Sequence, residues 1–137
     1  MKREEAINIL SYHSGRNPDI NNEKWRNGFL GMLKPYRGQL YEENFFEIME
    51  CLKSLQDEFN DDKICKELTA NIYGITFYAS MWTNKGGMLD NILNDTQKLL
   101  VKNWINIISY CFICLLEGNS EEAFSEYEVY VEEKNNI

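Results

Sequence analysis

Proline and histidine are scarce in this sequence, and both shortages limit what the chain can be. Its 137 residues include two prolines, Pro18 and Pro35, and one histidine, His13. Because proline removes a hydrogen-bond donor from a helix, its rarity leaves long stretches free to be helical. The lone histidine lies in a turn of Ser, Gly, Asn and Pro, which predicts a surface residue without positioned catalytic partners. We therefore expect no catalytic residues and no enzyme activity.

Net positive charge is also lacking. The chain has 22 acidic and 14 basic residues, for a formal charge of −8. Because nucleic-acid binding depends on cationic side chains, nucleic acid is an unfavourable partner, and an anionic membrane surface is disfavoured for the same reason. Residues 1–41 carry a small basic excess, whereas residues 42–137 carry all of the acidic excess. A basic protein is the natural electrostatic partner.

The start of the sequence has no long apolar run after its charged residues. We therefore expect no signal peptide and a cytoplasmic location, where four cysteines stay reduced. The most apolar stretch, residues 104–116, has 13 residues, fewer than the roughly 20 that a membrane helix needs. It is interpreted as part of a central core helix.

Apolar residues are plentiful, at 44% of the chain, and they recur at helical spacing. This pattern predicts an all-α fold, a single-domain bundle over residues 1–137 with about six helices around one apolar helix. A strand around residues 127–131 is the weaker alternative, because the stripe there has the helical period. The predicted helices are residues 3–12, 23–33, 42–59, 62–82, 96–117 and 121–134.

Two short motifs need interpretation. Cys111 and Cys114 have the spacing of a redox or zinc motif, but they lie in the most apolar helix, where cysteine packs as a small hydrophobe. Gly86 and Gly87 lack the flanking residues of a phosphate-binding loop and are read as a flexible connection. Gly74 is expected to allow a close helix crossing. We predict no cofactor and no metal.

Acidic helix faces are the strongest functional signal. In helix 42–59 the apolar residues occupy one third of the circumference and carboxylates the opposite third, with Phe46 nearer the acidic side. Like charges four residues apart weaken a helix, so stability alone does not explain them. Such faces commonly serve only solubility, and the functional alternative is a docking surface for a basic partner. The candidate partner-binding residues are Glu43, Phe46, Glu47, Glu50, Asp57, Glu121, Glu122 and Glu128.

The segment LKPYRGQLYEENF at residues 33–45 resembles small bacterial immunity proteins of contact-dependent growth inhibition and related polymorphic-toxin systems. The succession of segment 68–82, a glycine-rich turn and segment 104–116 is similar as well, so the resemblance covers about residues 20–127. It implies a protein that binds and blocks a cognate toxin domain. Many such toxins are basic nucleases, which suits the acidic charge. The acidic side chains of the third and sixth helices would occlude the toxin's active site, with Phe46 as an apolar anchor.

Two other functions remain open. The chain is alternatively an acidic helical adaptor or regulatory protein that binds a basic host protein, or an enzyme with an unfamiliar site around His13. A toxin gene immediately upstream would favour immunity. A hydrolase activity that is lost in His13→Ala would favour the enzyme.

Overall fold

The predicted helices form, although several begin, end or break at other residues than expected. The computed structural model describes residues 1–136, and within that range it contains helices and no strand, which confirms the all-α prediction. A 3-10 helix, Gln56–Asn60, directly follows the fourth α-helix. In chain order the α-helices are α1 (Arg3–His13), α2 (Glu23–Asn27), α3 (Phe29–Leu33), α4 (Glu42–Leu55), α5 (Lys66–Thr83), α6 (Asp95–Leu116), α7 (Ser120–Ala123) and α8 (Ser125–Asn135).

Helix α6 is the centre of the bundle, as predicted, and α4, α5, α7 and α8 pack around it. It begins at a reciprocal cap. The Asn94 side chain accepts a hydrogen bond from the Gln97 N–H at 2.8 Å, and the Gln97 side chain accepts one from the Asn94 N–H at 2.9 Å. This cap satisfies amides that a helix start leaves free and so fixes where the helix begins. The helix then extends over 22 residues. Trp104 at its middle is fully buried.

The length of α6 also changes the interpretation of its apolar character. By length and composition alone, Asp95–Leu116 is long and apolar enough to cross a membrane, and 44% of its most apolar window is buried in the bundle. The core helix of a soluble protein meets the same criteria. The buried side includes Cys111 and Cys114, which are free thiols, as the sequence predicted.

The predicted helix 23–33 is broken into α2 and α3 at Gly28. Gly28 has an extended backbone, and the next amide, Phe29 N–H, donates to Nδ1 of His13 at 3.0 Å. The Phe29 amide therefore bonds to the His13 side chain instead of to a backbone carbonyl within the helix. The two short helices approach closely, because a Cβ on Gly31 would lie 2.3 Å from the carbonyl oxygen of Trp25. Trp25 of α2 is only partly buried.

Three other expectations about the helices are corrected. Helix α5 begins at Lys66 after an extended Cys65, four residues later than the predicted start at residue 62. The C-terminal helix is divided at Phe124, whose ring is buried while its backbone leaves the helical conformation. Gly74 marks no close crossing, because a Cβ there would meet nothing within 4 Å.

Candidate protein-binding surfaces

A groove between α4 and α8 brings acidic residues of the two helices together. Its volume is about 410 Å³, and its lining includes Glu50, Lys53, Tyr127, Glu128 and Glu132. The Tyr127 hydroxyl donates to Glu50 at 3.3 Å, and Lys53 Nζ lies 3.7 Å from the same carboxylate. Lys53 also lies over the Tyr127 ring, 5.4 Å from its centroid. This acidic groove therefore has an aromatic floor and a carboxylate rim.

Tyrosine hydroxyls fix the position of α8 against its neighbours. Tyr130 donates to Glu42 of α4 and accepts a hydrogen bond from the Trp104 indole N–H of α6 at 2.9 Å. Lys134 forms an ion pair with the same Glu42. Burial and the adjacent carboxylates raise the pKa of Tyr127 and of Tyr130 to about 12, so both hydroxyls keep their protons at neutral pH. The Tyr130 hydroxyl therefore links α8 to α4 and to the core helix α6.

The sequence-predicted residues do not form one surface. Only Glu50 and Glu128 meet in the acidic groove. Glu43, Asp57 and Glu121 are exposed elsewhere on the helices. Glu122 already has hydrogen-bond partners within the protein. It accepts hydrogen bonds from the hydroxyls of Tyr110 at 2.7 Å and Ser125 at 2.9 Å, and these bonds lower the pKa of its carboxyl.

Phe46, the apolar anchor suggested by the sequence, is only partly exposed. Its ring centroid lies 5.9 Å from that of Phe45, 6.3 Å from that of Tyr127 and 6.2 Å from that of Tyr130. These contacts place it in an aromatic cluster between α4 and α8, where it contributes to the packing of the two helices.

His13 and Glu47 form a pair that the sequence did not reveal. The prediction that His13 lies on the surface was wrong, because the residue is only 2% exposed. Its Nδ1 accepts the Phe29 N–H, so the ring proton lies on Nε2 and is donated to Glu47 at 2.7 Å. That hydrogen bond lowers the pKa of the Glu47 carboxyl. With both ring nitrogens engaged, His13 has no lone pair available for general-base chemistry.

A second surface, on α5, was missed by the sequence analysis. Four of its large side chains are substantially exposed: Tyr73 at 59%, Phe77 at 45%, Tyr78 at 45% and Met81 at 47%. The rings follow one another along the helix, with Tyr73 stacked on Phe77 at 5.7 Å and Phe77 edge-on to Tyr78 at 5.3 Å. The available signal was the absence of charge from residues 68–84, although half of that helix must face outward.

Comparisons with known proteins add no assignment to these surfaces. The chain matches no protein-family model, and neither curated proteins nor solved structures show a significant similarity to it. Within residues 1–136, no group of three or more His, Cys, Asp or Glu side chains is arranged to hold a metal ion.

Proposed function

We propose that this protein is an immunity protein that binds and neutralises a basic toxin domain, most simply a nuclease. The observation that carries the proposal is the acidic groove between α4 and α8. Its rim residues Glu128 and Glu132 are exposed, and neither forms an ion pair within residues 1–136. The resemblance of residues 33–45 to immunity proteins and the formal charge of −8 support the same interpretation.

The proposed mechanism is occlusion without chemistry. A lysine or arginine with which the toxin binds phosphate would enter the groove and pair with the rim carboxylates. Tyr127 is buried and Lys53 already lies over its ring, so the cation of the toxin would pair with the rim carboxylates and not with that ring. The toxin's cationic surface would then be covered and unavailable to nucleic acid.

The proposal is tested with the product of the gene immediately upstream, which the proposal expects to be a basic toxin domain, by co-expression for protection and by surface binding kinetics. Replacing Glu128 and Glu132 together by glutamine should weaken protection and slow association severalfold, because exposed charges steer a basic partner. The fold should be unaffected, since this change removes a like-charge pair from one helix face. The difference should diminish as salt is raised, because screening acts over about 10 Å at 0.1 M salt.

A matched control is available in Asp61 and Asp62. Both are exposed, neither lines the groove, and their replacement by asparagine removes the same two charges. If the control slows association as much as the groove variant, net charge and not the groove directs binding. If the neighbouring domain does not bind at all, the immunity function fails.

The adaptor remains the second candidate, and the aromatic surface of α5 favours it. That surface and the acidic groove share no lining residue and belong to different helices. A protein with two chemically distinct binding surfaces can bridge two partners. A ternary complex without any protection against a toxin would support the adaptor over the immunity protein.

A further inference from the structure

The aromatic residues of α5 continue into a groove beside α2 and α3. This groove has a volume of about 480 Å³. Its walls include Trp25, Lys34, Pro35, Tyr78 and Trp82, and Leu30 contributes to its floor. Of the exposed row on α5, Tyr78 lines this groove, which we call the aromatic groove. It is independent of the acidic groove and of the function proposed for it.

The aromatic groove is uncharged except for one lysine. None of its lining residues is acidic, although the chain as a whole has a formal charge of −8. Lys34 Nζ lies 5.4 Å from the centroid of the Trp82 ring, and within residues 1–136 it forms no ion pair. An ammonium group held over an aromatic ring beside an apolar groove is complementary to a ligand that combines a carboxylate with flat apolar groups.

The groove is also preformed. Its base is set by the close approach of α2 and α3 at Gly31, where even a Cβ atom would collide with the Trp25 carbonyl. The Trp25 indole N–H donates to the Gly15 carbonyl at 3.4 Å. Tyr and Trp side chains have few rotatable bonds and so lose little entropy on binding, which favours them at protein interfaces.

The aromatic residues of the groove indicate the shape of the occupant. Tyr78 and Trp82 lie about one helical turn apart on α5, a rise of roughly 6 Å at 1.5 Å per residue. An extended peptide covers that distance with about two residues, at roughly 3.3 Å each. Aromatic grooves of this kind bind extended segments whose side chains, often proline, fit between the rings.

We propose that the aromatic groove binds an extended segment of a partner protein in which an acidic residue lies next to proline or aromatic residues. The carboxylate pairs with Lys34, and the flat side chains pack on Tyr78 and Trp82. The partner chemistry is thus opposite in charge to that expected at the acidic groove. One molecule would hold a basic surface on one side and an acidic, apolar segment on the other.

The test selects binders from a phage-displayed library of random peptides, in parallel on the natural protein and on Lys34→Glu. The natural protein should enrich sequences that place Asp or Glu beside Trp, Tyr, Phe or Pro. Lys34→Glu should enrich basic residues in place of the acidic ones. Lys102→Glu, at an exposed position of α6 outside this groove, is the matched charge control and should leave the selected motif unchanged.

A synthetic peptide of the selected sequence then serves as the probe in calorimetry. Tyr78→Ala should weaken its binding about tenfold, the loss expected for a central interface aromatic. Replacing Glu128 and Glu132 by glutamine should leave the affinity for this peptide unchanged. The proposal is overturned if no motif is enriched, or if the motif is the same with Lys34→Glu. It is also overturned if sedimentation shows that the chain dimerises through this groove and that Tyr78→Ala abolishes the dimer.

Discussion

The replacement of Trp104 by alanine is the most direct test of how the hydrophobic core is packed. The side chain is fully buried in α6, with its ring 6.2 Å from Phe29 in an edge-on arrangement and 6.0 Å from Phe45 in a stacked one. Its indole N–H donates to the Tyr130 hydroxyl of α8 at 2.9 Å. One side chain therefore joins α3, α4, α6 and α8.

The magnitude follows from burial. A buried tryptophan removes about 150–250 Å² from water, which at about 25 cal/mol per Å² corresponds to roughly 4–6 kcal/mol. Alanine keeps the Cβ atom, and the surroundings relax in part, so we expect a loss of about 3–5 kcal/mol in the free energy of unfolding. Tyr130 still donates to Glu42 in the variant, so no hydroxyl donor is orphaned and no large extra cost arises.

Urea unfolding followed by far-UV circular dichroism measures this loss without depending on tryptophan fluorescence. Trp82→Ala is the control, because that side chain is only partly buried, and its loss should be distinctly smaller. A double-mutant cycle of Trp104→Phe with Tyr130→Phe should give a coupling energy of about 0.5–1.5 kcal/mol, the range for a direct hydrogen bond. A change below about 1 kcal/mol for Trp104→Ala, ordinary for a surface site, would refute the placement of the core.

Three further predictions follow from individual sites. Gly74→Ala should raise the free energy of unfolding by about 1 kcal/mol in urea titrations, because the added methyl meets nothing within 4 Å and alanine favours the helix; destabilisation would mean that the site is crowded. The lowered pKa of Glu47 means that its carboxylate contributes stability above its ordinary pKa of 4.5 and loses it as pH falls through the lower folded value. Glu47→Gln should therefore reduce the acid-induced fall in the urea midpoint below about pH 5, and an unchanged pH profile would contradict the bond to His13. Burial raises the pKa of the Cys111 thiol to about 12. Cys111 and Cys114 are both buried, so they should react with a thiol reagent only after unfolding, and mass spectrometry of the native protein should find no zinc.

The parts of the fold that the sequence predicted well are those in which local periodicity and tertiary packing agree. In α4 the residues at helical spacing, such as Phe45 and Leu52, are the buried ones. In α6 the apolar residues surround the helix, and Trp104 lies in the core. Both helices are long enough for periodicity to identify them reliably, because many turns repeat the same pattern.

The failures occur where a distant residue decides the local structure. The break at Gly28 depends on the bond from the Phe29 amide to His13, 16 residues earlier. Burial of His13 in turn depends on Glu47, 34 residues later. Helical spacing in the sequence does not reveal such pairs of distant residues. A turn whose composition predicts exposure can still be covered by another part of the chain.

The sequence predicted that the candidate surface is acidic, but it did not predict how the carboxylates are arranged in space. The count of carboxylates correctly identified α4 and α8 as acidic, and these helices do form a groove. The sequence could not show which carboxylates bond internally, since Glu42 and Tyr130 are 88 residues apart. The aromatic groove was missed for a different reason. The apolar spacing in α5 predicts which side chains are buried, and it says nothing about the aromatic residues that remain exposed.

Some carboxylates of α4 and α8 bond to other side chains of the protein and others do not, and this difference affects how the sequence can diverge. Glu42 holds Tyr130 and Lys134, whereas Glu128 and Glu132 point outward and hold nothing within residues 1–136. Substitutions at the bonded carboxylate lower stability, while those at the outward pair alter mainly the charge presented to a partner. Mutation at the outward positions can therefore change recognition with little loss of folded protein. On the proposed function, the framework would stay fixed over generations while the acidic groove changed together with the toxin.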